Sequence, residues 1–225
     1  MKQLFSRLAL AVFAALCVSN QSVAATAAPV TLYTDFQQAV PPAVLEAVRN
    51  EVDSIMSPMG LRFDWQSLAD FRPGRASAAV AVAHFEGRCD VGGLVMRGNK
   101  VGSLGWTEIS DGTILPFTHV DCERVRTFLQ TTLLGYRPLD RERAFGRALG
   151  RVLAHELYHV YGDTAKHTAR GVAKENYSVA DLLAADFQFH EKETRALRSS
   201  KTVAALKAAG QPDLRDGEES PKGER

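Results

Sequence analysis

The sequence of 225 residues lacks a strong charge of either sign. Its 27 Lys and Arg residues are nearly balanced by 26 Asp and Glu residues, which leaves a formal net charge of +1 at pH 7. A nucleic-acid-binding domain usually carries a basic patch or stripe, so nucleic acid is not an expected partner. No internal repeat is visible, and the hydrophobic fraction of 45% is ordinary for a globular domain.

Long hydrophobic runs are also missing. The apolar stretch 8–18, which follows the basic residues Lys2 and Arg7, is shorter than the about 20 residues that a transmembrane helix needs. The small residues of 23–25 have the character of a signal-peptidase site. We therefore predict a cleaved signal peptide over residues 1–25, a secreted or periplasmic location and no membrane attachment of the mature chain. An uncleaved anchor is the alternative.

Cysteine is scarce, and no C-x-x-C pair occurs. The sequence has three cysteines, and one of them lies in the predicted signal peptide. Cys89 and Cys122 remain, and an even number of cysteines in an exported protein permits a disulfide. We predict a Cys89–Cys122 disulfide, with two free thiols as the alternative.

The most informative segment is 151–162, which contains the motif H-E-x-x-H as His155, Glu156 and His159. Residues four apart lie on the same face of a helix, so both histidines can bind one ion. This spacing is typical of Zn²⁺ sites, in which the glutamate accepts a proton from zinc-bound water. Gly162 suits the end of the helix.

A catalytic zinc site needs a third protein ligand and leaves its fourth position to water. His167 is the nearest remaining histidine, and it follows Gly162, where the chain can turn back toward the metal. Glu175 is the alternative ligand. The other histidines are assigned to a strand pair or a charged helix face: His84, His119 and His190.

The pattern of elements predicts an α+β fold, because short strands come before a group of helices. The predicted helices are one that begins at Pro42 and others over 125–134, 141–161 and 178–208, the last with a break near Ser199 and Ser200. The predicted strands are 61–65, 78–85, 102–109 and 114–120, and the last two form a hairpin. We predict one domain over 26–210 and a disordered tail over 211–225.

A proline in one predicted strand and two glycines in the motif helix predict local packing features. Pro116 favours an edge strand or a bulge, because proline cannot donate a backbone hydrogen bond to a neighbouring strand. Gly146 and Gly150 lie four apart on the motif helix and allow close approach of another backbone.

The segment 155–162 resembles the H-E-x-x-H-x-x-G segment of the metzincin clan of zinc metallopeptidases. That clan places its third ligand ten residues after the first histidine, a position that is Ala165 here. His167 would therefore bind from a longer loop. The methionine turn of the clan corresponds to 171–174, which contains no methionine. The run 155–174 also resembles a group of exported bacterial H-E-x-x-H proteins without a settled activity.

The resemblance implies a zincin-like fold, with a small mixed sheet, an edge hairpin, an active-site helix and a long C-terminal helix. It implies one Zn²⁺ per chain and a metallopeptidase in which Glu156 activates water against a peptide or protein substrate. The implied metal ligands are His155, His159 and His167. By the same analogy, 114–120 is the edge strand with which an extended peptide pairs, and Tyr177 stabilises the oxyanion.

Two other functions stay open. One is a zinc-bearing binding or structural module that does not cleave, which is motivated by Ala165 and the missing methionine turn. The other is hydrolysis of a different amide, such as that of a cell-wall peptide. Glu156 favours catalysis, because a structural zinc site needs no base and usually has four protein ligands. The sequence does not indicate an oligomeric state.

Overall fold

The computed structural model describes residues 28–74, 77–95, 98 and 102–210. The predicted signal peptide and the predicted tail lie outside these residues. The described part has the predicted α+β arrangement, with five strands and six α-helices. The strands are β1 (Val30–Phe36), β2 (Phe63–Ser67), β3 (Val80–Glu86), β4 (Gly105–Ser110) and β5 (Thr113–Asp121). The helices are α1 (Pro42–Met56), α2 (Cys122–Leu134), α3 (Pro138–Gly162), α4 (Val179–Leu183), α5 (Glu191–Arg198) and α6 (Lys201–Ala209).

The five strands form one mixed sheet in the order β2-β1-β3-β5-β4. All neighbouring strands are parallel except the antiparallel β4–β5 hairpin. The hairpin turns at Asp111 and Gly112, which both have positive φ. An Asp-Gly pair is preferred in such two-residue turns, because both residues tolerate positive φ. No helix in the described residues is long and apolar enough to span a membrane.

The prediction that 114–120 forms the edge strand is wrong. β5 lies between β3 and β4, and β4 is at the edge of the described sheet. Pro116 lies where the register between β4 and β5 shifts, between the pairs Thr107–Thr118 and Ile109–Ile114. Proline is tolerated both at edges and at bulges, and here the bulge accounts for it.

Helix α3 is the long helix of the fold and packs against the sheet and α1. It begins at Pro138, three residues before the predicted start, and has Asp140 in its first turn. Gly146 and Gly150 permit the close approach to α1. A Cβ added at Gly146 would lie 2.5 Å from the backbone oxygen of Val44, and one at Gly150 would lie 2.9 Å from that of Val48.

The predicted long helix over 178–208 is wrong. The chain forms α4, α5 and α6 instead, and the predicted break near Ser200 is the junction of the last two, where Ser200 caps α6. Between α4 and α5 the chain is not helical, and it buries Phe187 and Phe189. Phe187 lies under the Arg151 guanidinium, and Phe189 contacts the Tyr158 ring. Packing of these two rings against α3 overrides the local preference for helix.

The predicted disulfide is confirmed, because Cys89 and Cys122 are bonded in the structure. It joins the segment after β3 to the first residue of α2. Both residues are fully buried. A disulfide is compatible with an exported protein, since such bonds persist in oxidising compartments.

Replacing Gly146 by Ala is expected to destabilise the protein. The added methyl group overlaps the Val44 carbonyl and the Ala47 side chain, which lies 2.7 Å from the added Cβ. Overpacking of this kind costs about 1–3 kcal/mol and outweighs the gain in helix propensity of about 1 kcal/mol. Gly135→Ala is the matched control, because its nearest contact would be an ordinary 3.4 Å. Urea unfolding midpoints measure both, and an unchanged midpoint for Gly146→Ala would contradict the packing described.

Candidate metal centre

Three histidines converge beside β4. His155 and His159 lie one turn apart on α3 and are buried, and His167 comes from the loop after α3 and is exposed. One ring nitrogen of each lies within 4.8 Å of those of the other two. The helix supplies two of these nitrogens because its period brings residues four apart to one face. The three histidines singled out from the sequence are therefore close enough to bind one metal ion.

Backbone carbonyls fix the orientation of the two helical histidines. Nδ1 of His155 lies 2.7 Å from the oxygen of Val172, and Nδ1 of His159 lies 2.6 Å from the oxygen of Thr164. A carbonyl oxygen only accepts, so each Nδ1 must carry the proton. Each Nε2 is then an acceptor with a lone pair, the form in which a neutral imidazole binds a metal.

The two Nε2 atoms face each other at 3.1 Å. Burial lowers the pKa of His155 to about 3 and also lowers the pKa of His159, so both rings are neutral near pH 7. With each Nδ1 protonated, no proton is left to lie between the Nε2 atoms, and two lone pairs oppose each other. A cation between them removes this repulsion. Two nitrogens that are each about 2.1 Å from a tetrahedral zinc lie about 3.4 Å apart, which is close to the observed spacing.

The donor set fits zinc. Three imidazole nitrogens with a fourth position left free are the ligands of a catalytic zinc site. Harder ions such as Mg²⁺ and Ca²⁺ prefer oxygen ligands. His167 is exposed and lines the adjoining cleft with His155 and His159, so a fourth position open to solvent is sterically available.

Glu156 lies next to this centre and is buried. Its Oε2 accepts a hydrogen bond of 2.8 Å from the hydroxyl of Thr107. Burial raises the pKa of Glu156 to about 7, and the Thr107 hydrogen bond opposes that rise. A carboxyl group with a pKa near neutrality can both take up and release a proton at neutral pH, which is what a general base and acid needs. The sequence did not single out Thr107, because no motif marks a threonine 49 residues before the glutamate.

The segment 171–174, which contains no methionine, packs against His155. Val172 and Ala173 are buried, and the Val172 carbonyl is the partner of Nδ1 described above. The Tyr177 hydroxyl donates to the same carbonyl and lies 3.0 Å from Nδ1 of His155. Burial raises the pKa of Tyr177 well above its ordinary value, so it remains a donor. This position, on the Nδ1 side of the ring, suits holding His155 rather than the oxyanion role that the resemblance implies.

The alternative ligand and the metzincin ligand position both border the cleft. Glu175 and Ala165 are among its lining residues. The carboxylate of Glu175 is not part of the group of converging ligand atoms in the described residues, whereas His167 is. The side chain of Ala165 has no atom that could bind a metal ion. His167, two residues later, is the loop residue whose side chain reaches the other two histidines.

The centre opens onto a cleft of about 650 Å³. β4, α3 and the segment 165–177 border it. Its apolar wall consists of Leu104, Ile109, Ile114, Phe128 and Val152. No Lys or Arg occurs among the lining residues that the structure describes. The cleft combines an apolar wall with a few polar groups at one place, as ligand sites commonly do.

The remaining histidines lie elsewhere, as predicted. His84 and His119 are paired on β3 and β5, with ring centroids 5.1 Å apart. The ring nitrogens of His119 contact Glu86 at 3.0 Å and Glu108 at 2.9 Å. His190 is the N-cap residue of α5. None of them belongs to the cluster of converging ligand atoms in the described residues.

Replacing His167 by Ala is expected to weaken the binding of a metal ion such as Zn²⁺ at this cluster. Loss of even an outer-shell partner of a zinc ligand costs about 10- to 100-fold in affinity, so loss of a ligand should cost at least that much. Competition with a chromophoric chelator measures the affinity. Glu175→Ala is the matched control, since Glu175 borders the same cleft, and it should leave the affinity unchanged. If Glu175→Ala weakened binding and His167→Ala did not, Glu175 would be the third ligand instead of His167.

Comparisons with known proteins add no family assignment. None of the protein-family models matches this chain, and a search of curated proteins finds no significant match. The resemblance to metzincins is thus confined to the motif and its flanking residues.

Proposed function

We propose that this protein is an exported zinc-dependent metallopeptidase with one Zn²⁺ per chain. The proposed ligands are His155, His159 and His167. The observation that carries the proposal is the pair of neutral imidazoles whose Nε2 atoms face each other at 3.1 Å while each Nδ1 donates to a backbone carbonyl. Glu156 beside them supplies the base that a hydrolytic zinc site requires.

Zinc, when bound, supplies a water of lowered pKa and a Lewis acid for the scissile carbonyl. Glu156 takes a proton from the attacking water and returns it to the nitrogen of the leaving amine, so the carboxylate is restored after each cycle. Tyr177 and the Val172 carbonyl hold the His155 ring so that its Nε2 keeps facing the centre.

A peptide is the substrate that the cleft favours. β4 is an edge strand in the described sheet and borders the cleft. An extended peptide can pair with such an edge by β-augmentation, with alternate side chains entering pockets. The nearby apolar wall, which includes Leu104, Ile114 and Phe128, suits an apolar side chain. Structural zinc sites usually have four protein ligands, so the three-histidine set and open cleft favour catalysis over the non-cleaving module.

Glu156→Gln is expected to retain zinc and to lose peptide cleavage. Glutamine fills the same space but cannot accept the proton, and general-base catalysis contributes about 10²- to 10⁴-fold in rate. His155→Ala should lose zinc as well as activity. Zinc content is measured by atomic absorption after purification in zinc-containing buffer, and cleavage by mass spectrometry on a diverse peptide library. Glu175→Gln is the matched control for a carboxylate in the same cleft and should retain both properties.

The outcomes separate the alternatives. Wild-type protein without zinc after that purification would refute the metal centre. Zinc at one per chain without cleavage of any peptide would favour the binding or structural module. Cleavage of cell-wall peptides alone would favour the hydrolase of another amide.

A further inference from the structure

Thr107 contacts the carboxylate of Glu156 directly. Its Oγ1 lies 2.8 Å from Oε2 and 3.2 Å from the backbone oxygen of the same glutamate. A threonine hydroxyl has one proton to donate, and a carboxylate oxygen is the stronger acceptor of the two. The other carboxylate oxygen, Oε1, has no hydrogen bond to any residue that the structure describes. Thr107 therefore holds one oxygen and leaves the other free.

The strand around Thr107 is packed against the same carboxylate. Gly105 lies two residues earlier on β4, on the same side of the strand. A Cβ added there would lie 3.0 Å from Oε1 of Glu156 and 2.7 Å from Cγ1 of Val152. The glycine thus leaves the space in which the free oxygen lies. β4 supplies both the donor for one oxygen and the room for the other.

We propose that Thr107 is the positioning residue of the general base Glu156. This inference rests on the proposed function, because it concerns the same reaction. The terminal torsion of a glutamate side chain is broad, so burial alone does not select one orientation of its two oxygens. The hydrogen bond from Thr107 selects the orientation in which Oε1, and not Oε2, is the oxygen that takes the proton from water. Because Thr107 belongs to the edge strand β4, its hydrogen bond also connects Glu156 to a strand that borders the cleft.

Three variants of the zinc-loaded protein test the proposal. Thr107→Val keeps the shape of the side chain and removes the hydroxyl, and it is expected to lower kcat by about 10- to 100-fold, the range expected for a misplaced catalytic group. KM and zinc content should be unchanged. Thr107→Ser keeps the hydroxyl and should restore most of kcat. Thr118→Val is the matched control, because Thr118 is paired with Thr107 on β5 and donates to the Val82 carbonyl.

A second measurement does not depend on activity. Urea unfolding of the purified protein is compared for Thr107→Val alone, Glu156→Ala alone and the double variant. A direct hydrogen bond predicts that Thr107→Val lowers the midpoint less in the Glu156→Ala background than in the wild-type background. Equal shifts in both backgrounds would show that the two side chains do not interact and would overturn the proposal.

The two measurements separate this inference from the proposed function. Wild-type protein that cleaves no peptide refutes the proposed function, and the unfolding cycle then still decides whether Thr107 holds Glu156. Active wild-type protein with an unchanged kcat in Thr107→Val would overturn the positioning role. A loss of kcat that Thr107→Ser does not restore would also overturn it, since the hydroxyl would then not be the cause.

Discussion

Two hydrogen bonds, each from an imidazole to a backbone carbonyl, determine what this site can do. They place the protons of His155 and His159 on Nδ1, and so leave the two Nε2 lone pairs facing each other across 3.1 Å. In a buried place this arrangement is unfavourable without a cation, since burial keeps both rings neutral. The carbonyls belong to Thr164 and Val172, on either side of the third histidine. The loop that carries His167 is therefore the same loop that orients the other two rings.

The helix that follows this loop, α4, is held against α3 by a buried charge. The Arg151 side chain is 1% exposed, pairs with Glu51 on α1 at 2.6 Å and donates to the backbone oxygen of Asp181 at 2.9 Å. It lies one turn before His155 on the same helix. A buried charge is tolerated only when it is paired and hydrogen-bonded. Arg151 meets this condition by joining α1, α3 and α4, the helix that follows the His167 loop.

β4 forms one wall of the cleft. The β4–β5 hairpin lies at the edge of the described sheet, and the bulge at Pro116 lies in the inner strand. This leaves the outer edge of β4 without a strand partner among the described residues. One face of the strand contacts the Glu156 carboxylate through Thr107 and lies close to it at Gly105. On the other side of His155, Val172 and Ala173 are buried, and the Val172 carbonyl orients the His155 ring.

Local chemistry was readable from the sequence by itself. The H-E-x-x-H motif and the hairpin depend on residues a few positions apart, so helix period and turn preferences were enough to predict them. The disulfide followed from the number of cysteines and the predicted compartment. The edge position of β4, the non-helical segment between α4 and α5, and the contact between Thr107 and Glu156 were decided by tertiary structure. They depend on which distant segments share a surface, and burial of rings such as Phe187 outweighs the small differences in local propensity. His167 converges with the other two histidines while Glu175 does not, because the folded loop, and not its length, sets which side chain reaches the centre.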